Sequence, residues 1–322
     1  MKKLITQSEE WKNLQKALGV KIFDKSSKNY EYLAILKHTP VGNYLYLPYG
    51  PIIKNKAGAA EAKEDLITCA KNQNAIFIRV EPTDRESSVD FLKGAIKSKD
   101  ISPADTWVLD LTASEEEIVS NFSQGTRTRF HNYEKKGLTV EVSKDPEDIK
   151  YLVDLQSKLA KVRGIHPYDA DYLKTELSQP FASLYLVKYD APESEGRPLK
   201  ASKSAGQNNS GSSPKIIAAS LFFDHDGTRY YMQSASDLEY KKLPATVALL
   251  TKAIFDAKAK GIKEFDFWGI APDGADSTHP WYGFTEFKKS FGGHPVHYSG
   301  TYDIPVNPAR YKLYQFLRRI KP

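Results

Sequence analysis

Apolar residues recur at helical spacing from Ser8 to Leu18, where Trp11, Leu14 and Leu18 share a face and Gly19 supplies a stop. Two β-branched and aromatic runs follow, YEYLAILKHTP and NYLYLPYGPII, joined by Pro-Val-Gly-Asn, and they predict a hairpin. AGAAEAKEDLITCAKNQN has the composition of a helix, and AIFIRVEP that of a short strand closed by proline. The strand WVLDL leads into EEEIVSNF, a helix for which Thr112, Ser114 and Glu115 to Glu117 supply a cap and an acidic first turn. TRTRFHNYEKKG then reads as a basic helix ended by Gly137, and LTVEV as a strand.

A similar order restarts after residue 145. Helices over PEDIKYLVDLQSKLAKVRG and YDADYLKTEL precede strands FASLYLVKYD, KIIAASLFFDHDG and TRYYMQSAS, a long helix LPATVALLTKAIFDAKAKG and a strand KEFDFWGI. Two mixed α/β units of like layout indicate a duplication. The first is expected over 1–145 together with a closing helix in 306–322 that packs back on it, and the second over 146–305. Residues 190–214 hold six Ser, three Gly and three Pro but one large aliphatic residue, Leu199, and read as a disordered insert between two strands.

At 322 residues the chain is long enough for two cores. Apolar residues at 40% and charged residues at 27% exclude disordered and fibrous classes. Neither a long apolar run nor a secretory leader is read in the sequence, so a cytoplasmic location is expected. One cysteine, Cys69, on an amphipathic helix, excludes an internal disulfide or a thiolate cluster. The net charge of +6 is concentrated: residues 241–322 carry 13 Lys+Arg against 7 Asp+Glu, leaving 33 against 33 upstream. Such a bias attracts a polyanion, whether RNA, a nucleotide-linked substrate or an anionic membrane surface.

The phosphate-cradling loops GxxxxGK[ST] and GxGxxG, the zinc motif HExxH and the nucleophile elbow GxSxG are missing, and the seven histidines lack i, i+4 pairing, so no metal site is expected. The informative stretch is 261–303. Here Phe284, Phe287 and Phe291 ride with Lys288 and Lys289 on a short helix stopped by Gly292 and Gly293. A cation held beside aromatic rings can stabilise an oxyanion forming at an ester carbonyl, although such phenylalanines also serve as core and such lysines as solvated surface.

FDFWGI, GFTEFKKSFGG and VHYSGTYDIPVNPARYKLY, with QSEEWKNLQKALG, YLPYGPII, TRTRFHNYEKKGLTVEV, LAKVRG and LPATVALLTKAIFDAKAKG upstream, resemble the Fem (FemABX) family of peptidoglycan-bridge aminoacyltransferases over nearly the whole chain except 190–214. The resemblance implies an α/β fold of two tandem GNAT-like domains without a coiled-coil insertion. It also implies transfer of an amino acid from aminoacyl-tRNA to an amine of UDP-MurNAc-pentapeptide or lipid II, with no further cofactor. The helix start YKKLPATVALL has proline where acetyl-CoA enzymes use glycine, which disfavours that donor. By resemblance, Phe287 and Lys288 match the family's Phe-Lys pair at the reacting ester. Arg163, Tyr240 and Tyr168 fall at or near precursor-binding positions. Lys16 stands in for a substrate lysine on the first helix, where the chain itself has Gln15.

Asp110 is the carboxylate expected to act as a base, with a capping role as the alternative, and Asp266 is expected to be structural. Arg127, Arg129, Lys289, Arg318 and Arg319 are candidates for a tRNA-facing surface, together with His131, Arg310 and Lys312. Two rival functions stay open: a GNAT-like acyltransferase with another activated donor, and an inactive Fem-like module that binds a partner. Contact with the inner membrane leaflet is expected from tail basicity.

Overall fold

The structure is a computed structural model that describes residues 3–164, 167–190 and 214–320. Ser8, whose hydroxyl accepts the Trp11 N–H, starts α1 (Glu9–Ala17), and β1 (Ile22–Ser26), β2 (Tyr30–Thr39), β3 (Gly42–Leu47) and β4 (Ile52–Ile53) follow. Asn55 caps α2 (Lys56–Asn72), which leads to β5 (Ala75–Val80), α3 (Val89–Leu92), β6 (Ile96–Lys97) and β7 (Asp105–Asp110). A reciprocal capping box between Ser114 and Glu117 opens α4 (Glu115–Ser120), as the sequence predicts. Next come α5 (Gln124–Asn132), β8 (Leu138–Ser143), α6 (Ile149–Arg163), α7 (Ala170–Leu177), β9 (Ala182–Tyr189), β10 (Lys215–His225), β11 (Thr228–Ser236), α8 (Ala245–Ala259) and β12 (Glu264–Gly269). The chain closes with α9 (Tyr282–Lys289), β13 (His294–His297), β14 (Tyr302–Pro305) and α10 (Pro308–Ile320).

Two compact units result, one of residues 1–107, 268–285 and 295–322, the other of 108–267 and 286–294. The exchange between them falls earlier than the boundary near 145 expected from the sequence. The reason is pairing: β8 runs antiparallel to β9, with Val140 opposite Val187, and so belongs to the second unit's sheet. The insert expected over 190–214 lies, apart from its two end residues, outside the described residues.

The first unit holds a sheet in the order β1-β2-β3-β5-β14-β6, with β4 paired to β2. β14, which the sequence reading did not place, is flanked on both sides: Ile304 faces Ile78 and Asp303 faces Ile96. At four residues it is too short for alternation to show, and its partners are some 200 positions away. α2 seals this sheet through Ala59, Ala62, Leu66 and Ala70. α10 packs onto β5 as expected, Tyr311 and Tyr314 lying 5.2 and 4.9 Å from the Phe77 ring. Beside them Arg79 makes a bidentate pair with Asp303, both bonds 2.7 Å and both side chains buried.

The other sheet is ordered β13-β7-β12-β11-β10-β9-β8. β11 and β12 are parallel, and β8 through β11 are antiparallel neighbours. α6 packs against β10 and β11, and α8 against β8, β9 and β10. α8 is apolar nearly all round, which is why it is buried along most of its length. Arg229, fully buried, is neutralised by Asp224 at 2.6 Å and donates to Tyr185 Oη and the Ala253 carbonyl, so its charge is structural.

Candidate functional site

In the second unit, the end of α9 carries the Phe-Lys pair. Phe291 anchors it, lying 5.4 Å from Phe267, 5.3 Å from Phe122 and edge-on to Phe287 at 5.3 Å. The Ser123 N–H donates to the Ser290 carbonyl at 2.8 Å and ties the helix end to α5. Gly292 follows at φ +76°, and a Cβ there meets Asn121 Cβ at 3.0 Å, so the glycine stop read in the sequence is both conformational and steric.

This packing turns Lys288 inward. The residue is only 8% exposed, and its Nζ lies 6.0 Å from the centroid of the Tyr231 ring. Burial pulls its pKa from 10.5 down to about 8, and the neighbouring Asp266 opposes that shift in part. Asp266 is itself buried on β12, in keeping with the structural role expected for it.

Phe287, one residue earlier, lines a cavity of ≈ 460 Å³ with Arg129, Lys136, Lys241, Lys242 and the first turn of α8. Four cations and a helix N-terminus converge there without a carboxylate among the lining residues, an arrangement suited to phosphate. The sequence reading used Tyr240 and Pro244 of this stretch and passed over Lys241, Lys242 and Lys136. The signal was available: a Lys-Lys pair immediately before a proline-started helix.

Other expected residues separate into those the structure leaves available and those it engages. Asp110 Oδ1 accepts the Thr112 N–H at 2.8 Å, and this bond holds the exposed carboxyl below its ordinary range, the opposite of what a general base needs. That bond forms a turn, the capping alternative read for Asp110 in the sequence. Arg127 donates to the Ser120 and Phe122 carbonyls and closes the end of α4, so it is spent on the fold, whereas Arg129 faces the cationic cavity. Lys289 pairs with Glu286 at 3.1 Å. Lys16 is exposed on α1, and Arg318 and Arg319 are exposed on α10, all three in the first unit.

Tyr240 lies under Lys215, whose Nζ is 4.5 Å from its ring centroid, and beside Tyr189 at 5.4 Å. Lys215 also lines a larger cavity of ≈ 580 Å³ with Lys158, Lys161, Lys188 and Asp154. Arg163 ends α6, but its side chain lies outside the described residues. Tyr168 stacks on Tyr172 at 6.0 Å and lines a third cavity of ≈ 230 Å³. Among the described residues, no cluster of His, Cys, Asp and Glu is suited to a metal, and no helix is long and apolar enough to cross a membrane.

Mixed sheets flanked by helices, in two units, define a tandem GNAT-like fold. A tandem GNAT protein from the clavulanic acid biosynthesis pathway shares it at TM-score 0.53 and 10% identity, over 89% of this chain and 83% of that one. The structure of FemX superposes with TM-score 0.78 at 18% identity, over 96% of this chain and 94% of FemX. The FemAB family model matches residues 192–319. Among curated relatives, aminoacyltransferase FemA of Staphylococcus epidermidis is 26% identical over 105 residues, covering 33% of this chain and 25% of FemA. Lipid II:glycine glycyltransferase of Staphylococcus aureus is 23% identical over 274 residues, covering 70% of this chain and 64% of the relative. The chain thus spans between a quarter and just under two thirds of the length of these relatives.

Proposed function

We propose that the chain transfers an aminoacyl group from aminoacyl-tRNA to an amine on the stem peptide of a peptidoglycan precursor, UDP-MurNAc-pentapeptide or lipid II, without a cofactor. The observation that carries this reading is Lys288: a buried ammonium next in the chain to Phe287, which lines a cavity rich in cations and fit for phosphates. The FemAB match and the names of the relatives supply the substrate class.

In the reaction, a neutral acceptor amine attacks the ester carbonyl; a C–N bond forms, the ester C–O bond breaks, and the tRNA 3′-terminal ribose leaves as a hydroxyl carrying one proton. Charge builds on the carbonyl oxygen in the transition state. Lys288, already desolvated, stabilises that oxygen without having to shed water as the reaction proceeds. Arg129, Lys136, Lys241 and Lys242 hold the donor's terminal phosphates and so fix the ester in place. With Asp110 engaged in its turn, the proton moves through the departing ribose hydroxyl or a donor phosphate. The lysines around the ≈ 580 Å³ cavity provide counter-charge for the acidic acceptor.

Membrane contact, if the acceptor is lipid-linked, falls to α10, which exposes Leu313, Phe316, Leu317 and Ile320 at helical spacing, with Arg310, Lys312, Arg318 and Arg319 on the same helix.

The test is transfer of labelled amino acids from a charged tRNA pool to UDP-MurNAc-pentapeptide and to lipid II, with and without RNase. RNase-sensitive labelling that Lys288→Ala abolishes supports the reading. Labelling that survives RNase refutes the tRNA donor, and full activity of Lys288→Ala refutes the assigned role of the lysine.

A further inference from the structure

The second unit contains a buried carboxyl that the proposed transfer does not use. Glu176 lies on the apolar face of α7 between Leu173 and Leu177, and it has no solvent exposure. Neither of its oxygens accepts a well-formed hydrogen bond, although the Tyr172 hydroxyl and the Gln233 amide are the donors beside it. Two further acceptors share this condition: the Oε1 atoms of Gln156 on α6 and Gln233 on β11, in side chains 9% and 7% exposed. Both glutamines line the ≈ 230 Å³ cavity, together with Leu159, Pro167, Tyr168 and Met232. Glu176 belongs to the same neighbourhood: burial and, after it, the charge of Glu176 raise the pKa of the cavity-lining Tyr168, and the Tyr172 hydroxyl and Gln233 side chain offset the effect of Glu176's own burial in part.

Buried polar atoms are ordinarily paired, and the two glutamine carbonyls on the cavity, beside a buried carboxyl whose own hydrogen bonds are poorly formed, describe a donor that is still to come. A proton on the carboxyl supplies one donor. A primary ammonium supplies three, along with a charge that matches the carboxylate. The stacked Tyr168 and Tyr172 rings favour a cation nearby, and Leu159, Pro167 and Met232 suit a short alkyl stem. We propose that this cavity binds a primary ammonium group, with the Glu176 carboxylate as counter-charge and the Gln156 and Gln233 carbonyls as further acceptors. The ligand's chemistry is shared by the α-ammonium of an aminoacyl group and by a side-chain amine of an acceptor peptide. The inference is tested by binding, so it can fail while the transfer reaction stands.

Three probes separate the cases: L-alaninamide for an α-ammonium, Nα-acetyl-L-lysine methylamide for a side-chain ammonium, and N-acetyl-L-norleucine methylamide as an uncharged analogue of the second. Calorimetric titration of the intact chain at pH 7, repeated in buffers of different ionisation enthalpy, reads both affinity and protons exchanged. Burial pushes the empty site's carboxyl up to about 8, so an arriving ammonium displaces its proton, and nearly one proton is released per amine bound. One of the two amines is expected to bind, and Glu176→Gln to weaken it at least ~10-fold and to abolish proton release. For the side-chain amine, the uncharged analogue is expected to bind at least ~10-fold more weakly. Gln233→Leu, which removes one acceptor and keeps the charge, is expected to weaken binding and retain proton release. The proposal is overturned if neither amine binds at about 50 mM, if the uncharged analogue matches the lysine probe, or if Glu176→Gln binds as the parent does.

Discussion

Replacing Lys288 by methionine tests the central claim about the site through stability, independently of any substrate. Methionine keeps the length and apolar stem of lysine and removes the charge, so the packing around Phe291 and Tyr231 is preserved. The free lysine titrates at 10.5 and the buried one at about 8. That difference corresponds to about 3 kcal/mol of destabilisation by the charged form, present in full below pH 8. Between pH 8 and 10.5 the folded chain has released this proton while the unfolded chain still holds it, so the unfolded state binds more protons and stability rises with pH. In Lys288→Met this contribution is missing. The stability gap between variant and parent is therefore expected to move by about 3 kcal/mol in the parent's favour from pH 7 to 10.5. Urea unfolding at half-unit pH steps measures it. A gap that stays flat with pH refutes the buried-ammonium assignment, whatever the variant's activity.

Turnover by the parent is also expected to fall as pH rises through about 8, where Lys288 loses its proton, once the rising fraction of neutral acceptor amine has been corrected for with a low-pKa acceptor analogue. Asp110→Asn keeps the side-chain oxygen that accepts the Thr112 N–H and is expected to retain activity within about threefold, against the hundredfold or greater loss that removal of a general base produces. Lys241→Ala with Lys242→Ala is expected to weaken tRNA binding and flatten its dependence on salt by about two counterions while leaving urea stability unchanged; an unaltered salt slope in filter binding counts against the cavity. Asp303→Asn leaves the Arg79 guanidinium buried with one partner short and is expected to destabilise the chain by about 3–5 kcal/mol in urea unfolding.

Element types were legible wherever a local period was long enough. α1, α2, α8 and α10 all appear where apolar spacing and end signals place them, and the Ser114 cap is the one read from the sequence. The domain exchange was not legible, because it depends on which sheet β8 joins, and a strand's own alternation does not name its partner. Lys288 was found through a family resemblance; its inward orientation depends on Phe122 and Phe267, both remote in sequence from α9. Asp110 was ambiguous for the reverse reason. A carboxylate at a strand end is equally good as a base or as an acceptor for the second N–H ahead, and the structure shows it accepting the Thr112 N–H. Glu176 carried a readable signal, a charge on the apolar face of a short helix, that no catalytic motif drew attention to.

On the proposed reading, the start of α8 adapts a GNAT-like fold to a polynucleotide donor. A glycine-rich turn binds phosphate through backbone N–H groups, which requires residues free of side chains and able to adopt left-handed backbone conformations. Here Pro244 stands at the N-cap with φ −81° and no side-chain cap, and proline removes one of the N–H groups such a turn depends on. The loss is offset by side chains: Lys241 and Lys242 before the helix, Arg129 and Lys136 across from it. Backbone amides bind one phosphate group in one geometry, whereas long flexible cations follow a run of phosphates along a chain. A site that exchanges the first for the second gives up the tight grip on a small pyrophosphate and gains tolerance for a polynucleotide end. The proposed donor is an already activated ester held by its phosphates, and for it the remaining requirement is a fixed positive charge at the carbonyl oxygen, which the desolvated Lys288, next to Phe287, is placed in this proposal to meet.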